Sequence, residues 1–455
     1  MDVIILSTTE LGDRSYLIHD GSVAFVVDPQ RDISRVLDAA SKADVKIGAV
    51  AETHIHNDYV TGGYELATLL GVPYLVNEAD KVNFERTAVS DGFEMKIGDL
   101  NIKVLATPGH TLTHVAYAVV DSTGDGAIFT GGSLLYGSVG RPDLLGPENT
   151  DFLARSQHRS ARKIAASLPG KYEVQPTHGF GSFCSSSSCQ TGTSSTIDNE
   201  QKSNFVFLID DETKFKEALL GGLDVWPAYY SHMGAANSSG PKAFYDTLPR
   251  MISKGELLAH LDKGSFIVDL RPGPQFANGH VPNSFALPIG NSFSTYLGWI
   301  YQWNTDIVLL APSSEDAIEA TRQLARIGID TVVGYYPISE SVELDFIPSS
   351  FKMTTFAELA TKSNDEHVAV LDVRRNDERR ASSIANSKHV PIHELIQRLP
   401  EMKEFEHREI WVHCAGGYRS TLAASILSNA GYNVVCINDG YNETFEGTKL
   451  LTAIA

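Results

Sequence analysis

Short runs of apolar residues punctuate the first part of the chain. Residues 3–6, 15–18, 23–27 and 47–51 have the length and β-branched content of strands, and Val36, Leu37 and Ala40 share one side of a helix between the last two. Further on, residues 149–168 read as a long helix opened by the capping residues Asn149, Thr150 and Asp151. Residues 237–241, Asn-Ser-Ser-Gly-Pro, have the composition of a linker.

The second part repeats itself. At an offset of 103, Asp269-Leu270-Arg271 aligns with Asp372-Val373-Arg374, the apolar run 306–310 with 409–413, Leu324 with Leu427 and Gly328 with Gly431. Each copy also carries His-Val-Pro, at residues 280–282 and 389–391. Each copy reads strand, loop, strand, helix, the order of a mainly parallel sheet covered by helices on both faces. The predicted organisation is an α/β multidomain chain with segments 1–245, 246–350 and 351–455.

Composition narrows the class. The chain has 455 residues, 42% of them hydrophobic, and a formal charge of -19 from 37 basic and 56 acidic residues. That balance argues against nucleic acid or an anionic membrane surface as a partner. No apolar run approaches the roughly 18 residues of a membrane helix. The N-terminus enters a strand-like run without a basic leader. Four cysteines, Cys184, Cys189, Cys414 and Cys436, are too few and too scattered for a disulfide framework, so a cytoplasmic, reducing location is expected.

Reactive chemistry concentrates at His413-Cys414-Ala415-Gly416-Gly417-Tyr418-Arg419-Ser420. A buried strand precedes this stretch and a helix pattern follows it, so Cys414 faces the positive end of a helix, with Arg419 five residues on to favour its thiolate. Gly416 and Gly417 let successive N–H groups turn inward as an anion-holding nest. Strand alternation points His413 to the other face, and Cys436 falls in a buried strand. The first copy has Ala311 and Asp316 where the second has Cys414 and Arg419, so its expected role is structural.

A second concentration lies in the first segment. His54 and His56, one residue apart after a strand, project to one side, and Asp58 adds a carboxylate. His110 and His178 likewise follow strand-like runs beside glycine.

On these motifs residues 1 to about 240 resemble the metallo-β-lactamase superfamily, nearest its glyoxalase II and persulfide dioxygenase branches. The resemblance implies an αββα sandwich with metal at its rim, held by His54, His56 and His110, with Asp58 and His178 as additional ligands. Gly140-Arg141-Pro142-Asp143-Leu144 also fits the family pattern. Two positions depart from it: Tyr59 replaces a histidine, and Gly132 replaces the metal-binding aspartate. Dinuclear hydrolysis needs that carboxylate, so two readings stay open: a single zinc or iron ion, or a metal-free scaffold. Cys184 and Cys189 belong either to a flexible serine-rich loop or, for Cys184, to the mouth of the site.

The repeats resemble the rhodanese family, whose Cys-x4-Arg loop is matched by residues 414–419. This implies a sulfurtransferase in which Cys414 forms a persulfide, with Arg419 attracting the donor, N–H groups of residues 415–420 as cradle, and Asp372 ordering the loop. The partners implied are thiosulfate, low-molecular-weight persulfides or thiols, and a homo-oligomer stays open. Phosphatases of related shape have a loop longer by one residue, which disfavours phosphate chemistry. The alternative class is a non-enzymatic sulfur carrier or sensor.

Overall fold

A computed structural model of the chain describes residues 1–184, 193–338, 348–362 and 365–441, and the backbone of Thr452–Ala453. Cys189 lies outside the described residues. The chain divides into two compact units, Met1–Asp246 with Ala325–Gly328, and Thr247–Leu324 with Ile329–Ala455.

The first unit is built on two six-stranded sheets. One orders β1 (Asp2–Thr8), β2 (Asp13–His19), β3 (Val23–Val27), β4 (Lys46–Ala51), β5 (Tyr74–Asn77) and β6 (Thr87–Val89) side by side. The other orders β7 (Glu94–Ile97), β8 (Leu100–Ala106), β9 (Val115–Val120), β10 (Gly126–Gly131), β11 (Glu173–Pro176) and β12 (Ser195–Thr196). Alternate residues on facing strands, among them Tyr16, Phe25, Val104, Tyr117 and Phe129, form the core between the sheets.

The opposite faces are covered by helices. Val36, Ala39 and Ala40 of α1 (Ser34–Lys42) and Leu66 and Ala67 of α2 (Gly63–Leu70) pack on the first sheet. Ala154, Ala161 and Ile164 of α3 (Pro147–Ser167) pack on the second. This is the αββα sandwich expected from the sequence.

Two sequence expectations are corrected here. Helix α3 starts at Pro147 rather than Asn149, because proline suits the first turn, where no N–H bond is lost. The stretch 237–241 is no linker at its start: the helix Tyr230–Ser239 runs through Asn237, which is buried. Its amide donates to the carbonyls of His56 and Tyr59, both at 2.8 Å, and accepts from Thr61 N at 2.9 Å.

The second unit holds two parallel sheets. The first repeat orders β14 (Ser284–Ala286), β13 (Phe266–Asp269), β15 (Ile307–Ala311) and β16 (Val332–Pro337). The second orders β17 (Lys352–Thr354), β22 (Val434–Ile437), β21 (Glu409–His413), β18 (Val368–Asp372) and β20 (Lys388–His389), with β19 (Ser383–Ile384) paired to β23 (Thr452–Ala453). The duplication is kept in the register: Asp269 stands opposite Leu310 as Asp372 stands opposite His413. In both copies the strand-end aspartate holds the arginine two residues on, Arg271 at 2.6 Å and Arg374 at 2.8 Å. Among the described residues, no helix is long and apolar enough to cross a membrane.

Candidate functional sites

In the first unit, the residues just beyond β3, β4, β8, β10 and β11 share one end of the sandwich. Val115 N donates to Thr53 O at 2.8 Å and Arg14 N to Thr177 O at 2.8 Å, stitching the two sheets there. Five imidazoles meet at this end. His54 is the hub, with ring centroids 4.1 Å from His56, 4.8 Å from His110, 4.9 Å from His114 and 5.3 Å from His178.

Their partners separate them chemically. His56 Nε2 lies 3.1 Å from Glu52, 3.3 Å from Asp28 and 3.0 Å from the Tyr59 hydroxyl. Burial alone would lower the His56 imidazole, but Asp28 and Glu52 outweigh it and lift it to about 9. His178 Nδ1 sits between Asp13 at 2.9 Å and Asp58 at 3.0 Å. Asp13 is pushed up to about 7 by burial and by Asp58. His178 is raised because these two carboxylates overcome its burial. Burial pushes His54 well down and His110 down to about 3, with neighbouring imidazoles adding to both shifts, so these rings are neutral. His114 bonds Thr107 Oγ1 through Nδ1 at 2.9 Å and accepts from Gly132 N at 3.0 Å.

Donor atoms of His54, His56 and His178 lie within 4.8 Å of one another, as do those of His110, His178 and Cys184, and of Asp13, Asp58 and His178. Of the imidazoles named from the sequence, His54 and His56 thus group with His178, and His110 groups with His178 and Cys184. His110 Nε2 is buried without a hydrogen-bond partner, an orphan that a cation would satisfy. These His and Asp clusters are compatible with zinc or iron. At Gly132 a Cβ would stand 2.3 Å from His110 Cδ2, so the His110 ring occupies the space a side chain there would need. Tyr59 is buried and its phenol pushed far up, which leaves it a protonated hydrogen-bonding group.

In the second unit, Cys414 follows β21 and precedes the helix Tyr418–Asn429. Gly417 N donates to Cys414 Sγ at 3.1 Å, and Ser420 Oγ lies 3.5 Å from it. Gly417 has φ 97°, and a Cβ there would stand 2.0 Å from Asn438 Oδ1, so the loop needs glycine at this position. Ala415 is half-buried and Gly416 exposed.

Arg419, expected from the sequence to attract the donor, has an internal partner. It makes a two-pronged ion pair with Glu378, which also accepts from Arg375 N at 2.9 Å. Burial would raise Glu378, but Arg419 outweighs it and lowers the carboxyl. Asp372 ends β18 and bonds Arg374 N at 3.0 Å, with Arg379 at 3.2 Å. The His413 ring packs on Phe356 and Tyr441, and burial pushes it down to about 4. Cys436 is buried, its thiol pushed up to about 12 by desolvation.

A cavity of about 480 Å³ joins the two repeats beside this loop. The first repeat supplies Pro272, Pro274, Pro288, Pro312 and Asp316; the second supplies Gly416, Gly417 and Tyr418. Tyr418 Oη donates to Pro288 O at 3.0 Å, fixing one repeat against the other.

Sequence reasoning missed Asp13, Asp28, Glu52, His114, Asn237 and Glu378. His114 stood four residues after His110 and was the nearest to a signal, whereas Glu378 is one acid in a charged helix turn and carried none.

Comparison with known families and proteins adds to this geometry. The Metallo-beta-lactamase superfamily matches residues 9–178, and the Rhodanese-like domain matches residues 253–337 and 355–446. The cytoplasmic hydroxyacylglutathione hydrolase of Arabidopsis thaliana is 37% identical over 171 residues, 36% of this chain and 63% of that protein. The probable polyketide biosynthesis zinc-dependent hydrolase BaeB of Bacillus velezensis is 30% identical over 176 residues, 36% of this chain and 72% of that protein. A crystal structure of a metallo-beta-lactamase from Staphylococcus aureus has 26% identity and a TM-score of 0.65, covering 74% of this chain and 99% of that one. The chain therefore belongs to the metallo-beta-lactamase superfamily and carries two rhodanese-like domains after its sandwich.

Proposed function

We propose that the chain is a sulfurtransferase of sulfane-sulfur metabolism whose covalent centre is Cys414. The observation that carries this reading is the Gly417 N–H held 3.1 Å from Cys414 Sγ at the start of a helix, where backbone donors stabilise negative charge on sulfur.

The Cys414 thiolate attacks the outer sulfur of the donor. The S–S bond of the donor breaks, its electron pair leaves as sulfite from thiosulfate or as thiolate from a persulfide, and Cys414 becomes a persulfide. Loop N–H groups hold the anionic sulfur as the bond forms. A cyanide or thiolate acceptor then takes the outer sulfur and returns the Cys414 thiolate. Because Glu378 neutralises Arg419 and Asp316 faces the cavity, organic persulfides suit the site better than dianionic thiosulfate.

In the first unit a zinc or iron ion, when bound, would supply Lewis acidity; the donors that could hold it are His54 with His56 and His178, or His110 with His178 and Cys184. His56 also pairs with Asp28 and Glu52. With Gly132 in place of a carboxylate, dinuclear hydrolysis is not the reading we adopt. Persulfide-to-cyanide and thiosulfate-to-cyanide transfer by wild type and Cys414→Ala test the proposal: transfer falls to background in the variant, whereas equal activity in the two proteins overturns it.

A further inference from the structure

Cys184 has no part in the transfer at Cys414, yet it is fully buried, and its sulfur groups with one nitrogen each of His110 and His178. The two imidazoles are prepared in the same way. His178 Nδ1 is fixed by Asp13 and Asp58, and His110 Nδ1 lies 2.8 Å from the Arg141 carbonyl. Engaging Nδ1 in this manner sets the ring orientation and leaves Nε2 to bind, the arrangement by which proteins aim histidines at zinc. His110 Nε2 has no hydrogen-bond partner.

Arg141 ties the third donor to the same frame. Its backbone N–H donates to Cys184 O at 2.9 Å, its guanidinium donates to Phe183 O at 2.9 Å, and Asp143 holds that guanidinium at 2.7 and 2.8 Å. One residue thus positions the His110 ring and the Cys184 backbone together. The nearest polar side-chain partner of Cys184 Sγ is Tyr230 Oη, at 3.7 Å, a contact long enough to be given up to a stronger one.

We infer that Cys184 is a metal ligand: its thiolate, with His110 and His178, holds a zinc-type ion and supplies the anionic donor that Gly132 cannot. A thiolate and two imidazoles select zinc over hard cations and are one of the three-ligand sets that leave a fourth position open in zinc enzymes. Binding displaces the thiol proton and the Nε2 proton of His178 to solvent, so that the Nε2 lone pairs of the two histidines fill the other positions. The inference is independent of sulfur transfer at Cys414.

Cobalt(II) is the probe, added under anaerobic conditions to metal-stripped full-length protein. Wild type is expected to bind one cobalt per chain and to show the near-ultraviolet sulfur-to-cobalt charge-transfer band. Cys184→Ser loses the band, while Cys189→Ser, Cys414→Ser and Cys436→Ser keep it. Absence of cobalt binding, absence of the band in wild type, or a band that survives Cys184→Ser overturns the inference. A second readout needs no variant: the cadmium NMR resonance of cadmium-loaded wild-type protein is expected in the range of mixed sulfur and nitrogen ligation. A resonance in the range of nitrogen and oxygen ligation alone is the contrary result.

Discussion

Arg419 Nη1 and Nη2 reach the two carboxylate oxygens of Glu378 at 2.5 and 2.7 Å. The cation beside Cys414 is thereby paired inside the protein. Glu378→Gln keeps the shape but releases the charge. It is expected to lower KM for thiosulfate about ten-fold, equivalent to ~1.4 kcal/mol, while changing persulfide kinetics little. Unchanged thiosulfate kinetics in a folded variant would show that Arg419 does not discriminate between donors.

Asp372 is buried among Arg374, Arg379 and His413. Burial alone would raise its carboxyl, but the hydrogen bonds of Arg374 and the nearby cations hold it well below the usual range. The stability this confers is fully present above the unfolded value of about 3.9 and is lost as pH falls through the lower folded value. Asp372→Asn is expected to cost about 3–5 kcal/mol near neutrality, because Arg374 is left buried and unpaired. It should also flatten the fall in stability below about pH 4. Urea titrations at several pH values read both effects.

Gly132→Asp restores a carboxylate in name only. Its Cβ would stand 2.3 Å from the His110 ring, so the ring must move before any ligand forms. The variant is expected to lose about 1–3 kcal/mol and to retain less metal than wild type. Thermal unfolding and elemental content report the outcome; higher metal content with undiminished stability would contradict this account.

Asn237→Ala removes three hydrogen bonds to the segment carrying His56, Tyr59 and Thr61. Leaving those backbone groups buried and unmet should cost roughly 1–3 kcal/mol. Loss of cobalt affinity alongside that destabilisation would show that the clamp serves the histidine cluster as well as the fold. Hydrogen exchange at residues 54–61 gives a local reading of the same effect.

The sandwich and the duplication were legible because both are written in period: strand runs set the two sheets, and the offset of 103 reappears as an identical register of Asp269 and Asp372. Cys414 was legible because its loop is contiguous. What escaped was assembled from a distance. Asp13 meets His178 across 165 positions, Cys184 meets Tyr230 across 46, and Glu378 meets Arg419 across 41. No local pattern encodes such pairs. Asn237 was misread because the local composition of a turn also suits a helix end held by tertiary hydrogen bonds.

Four of the residues that line the cavity beside Cys414 are prolines from the silent repeat. Proline has no N–H and a nearly fixed φ, so that wall is stiff and poor in donors. The opposite wall carries Gly416, Gly417 and Tyr418, and the Gly417 N–H is the one that donates to Cys414 Sγ. A molecule entering the cavity therefore meets a polarity set by the duplication itself. The cavity's proline side comes from the copy with Ala311 and Asp316, and its glycine side from the copy with Cys414 and Arg419.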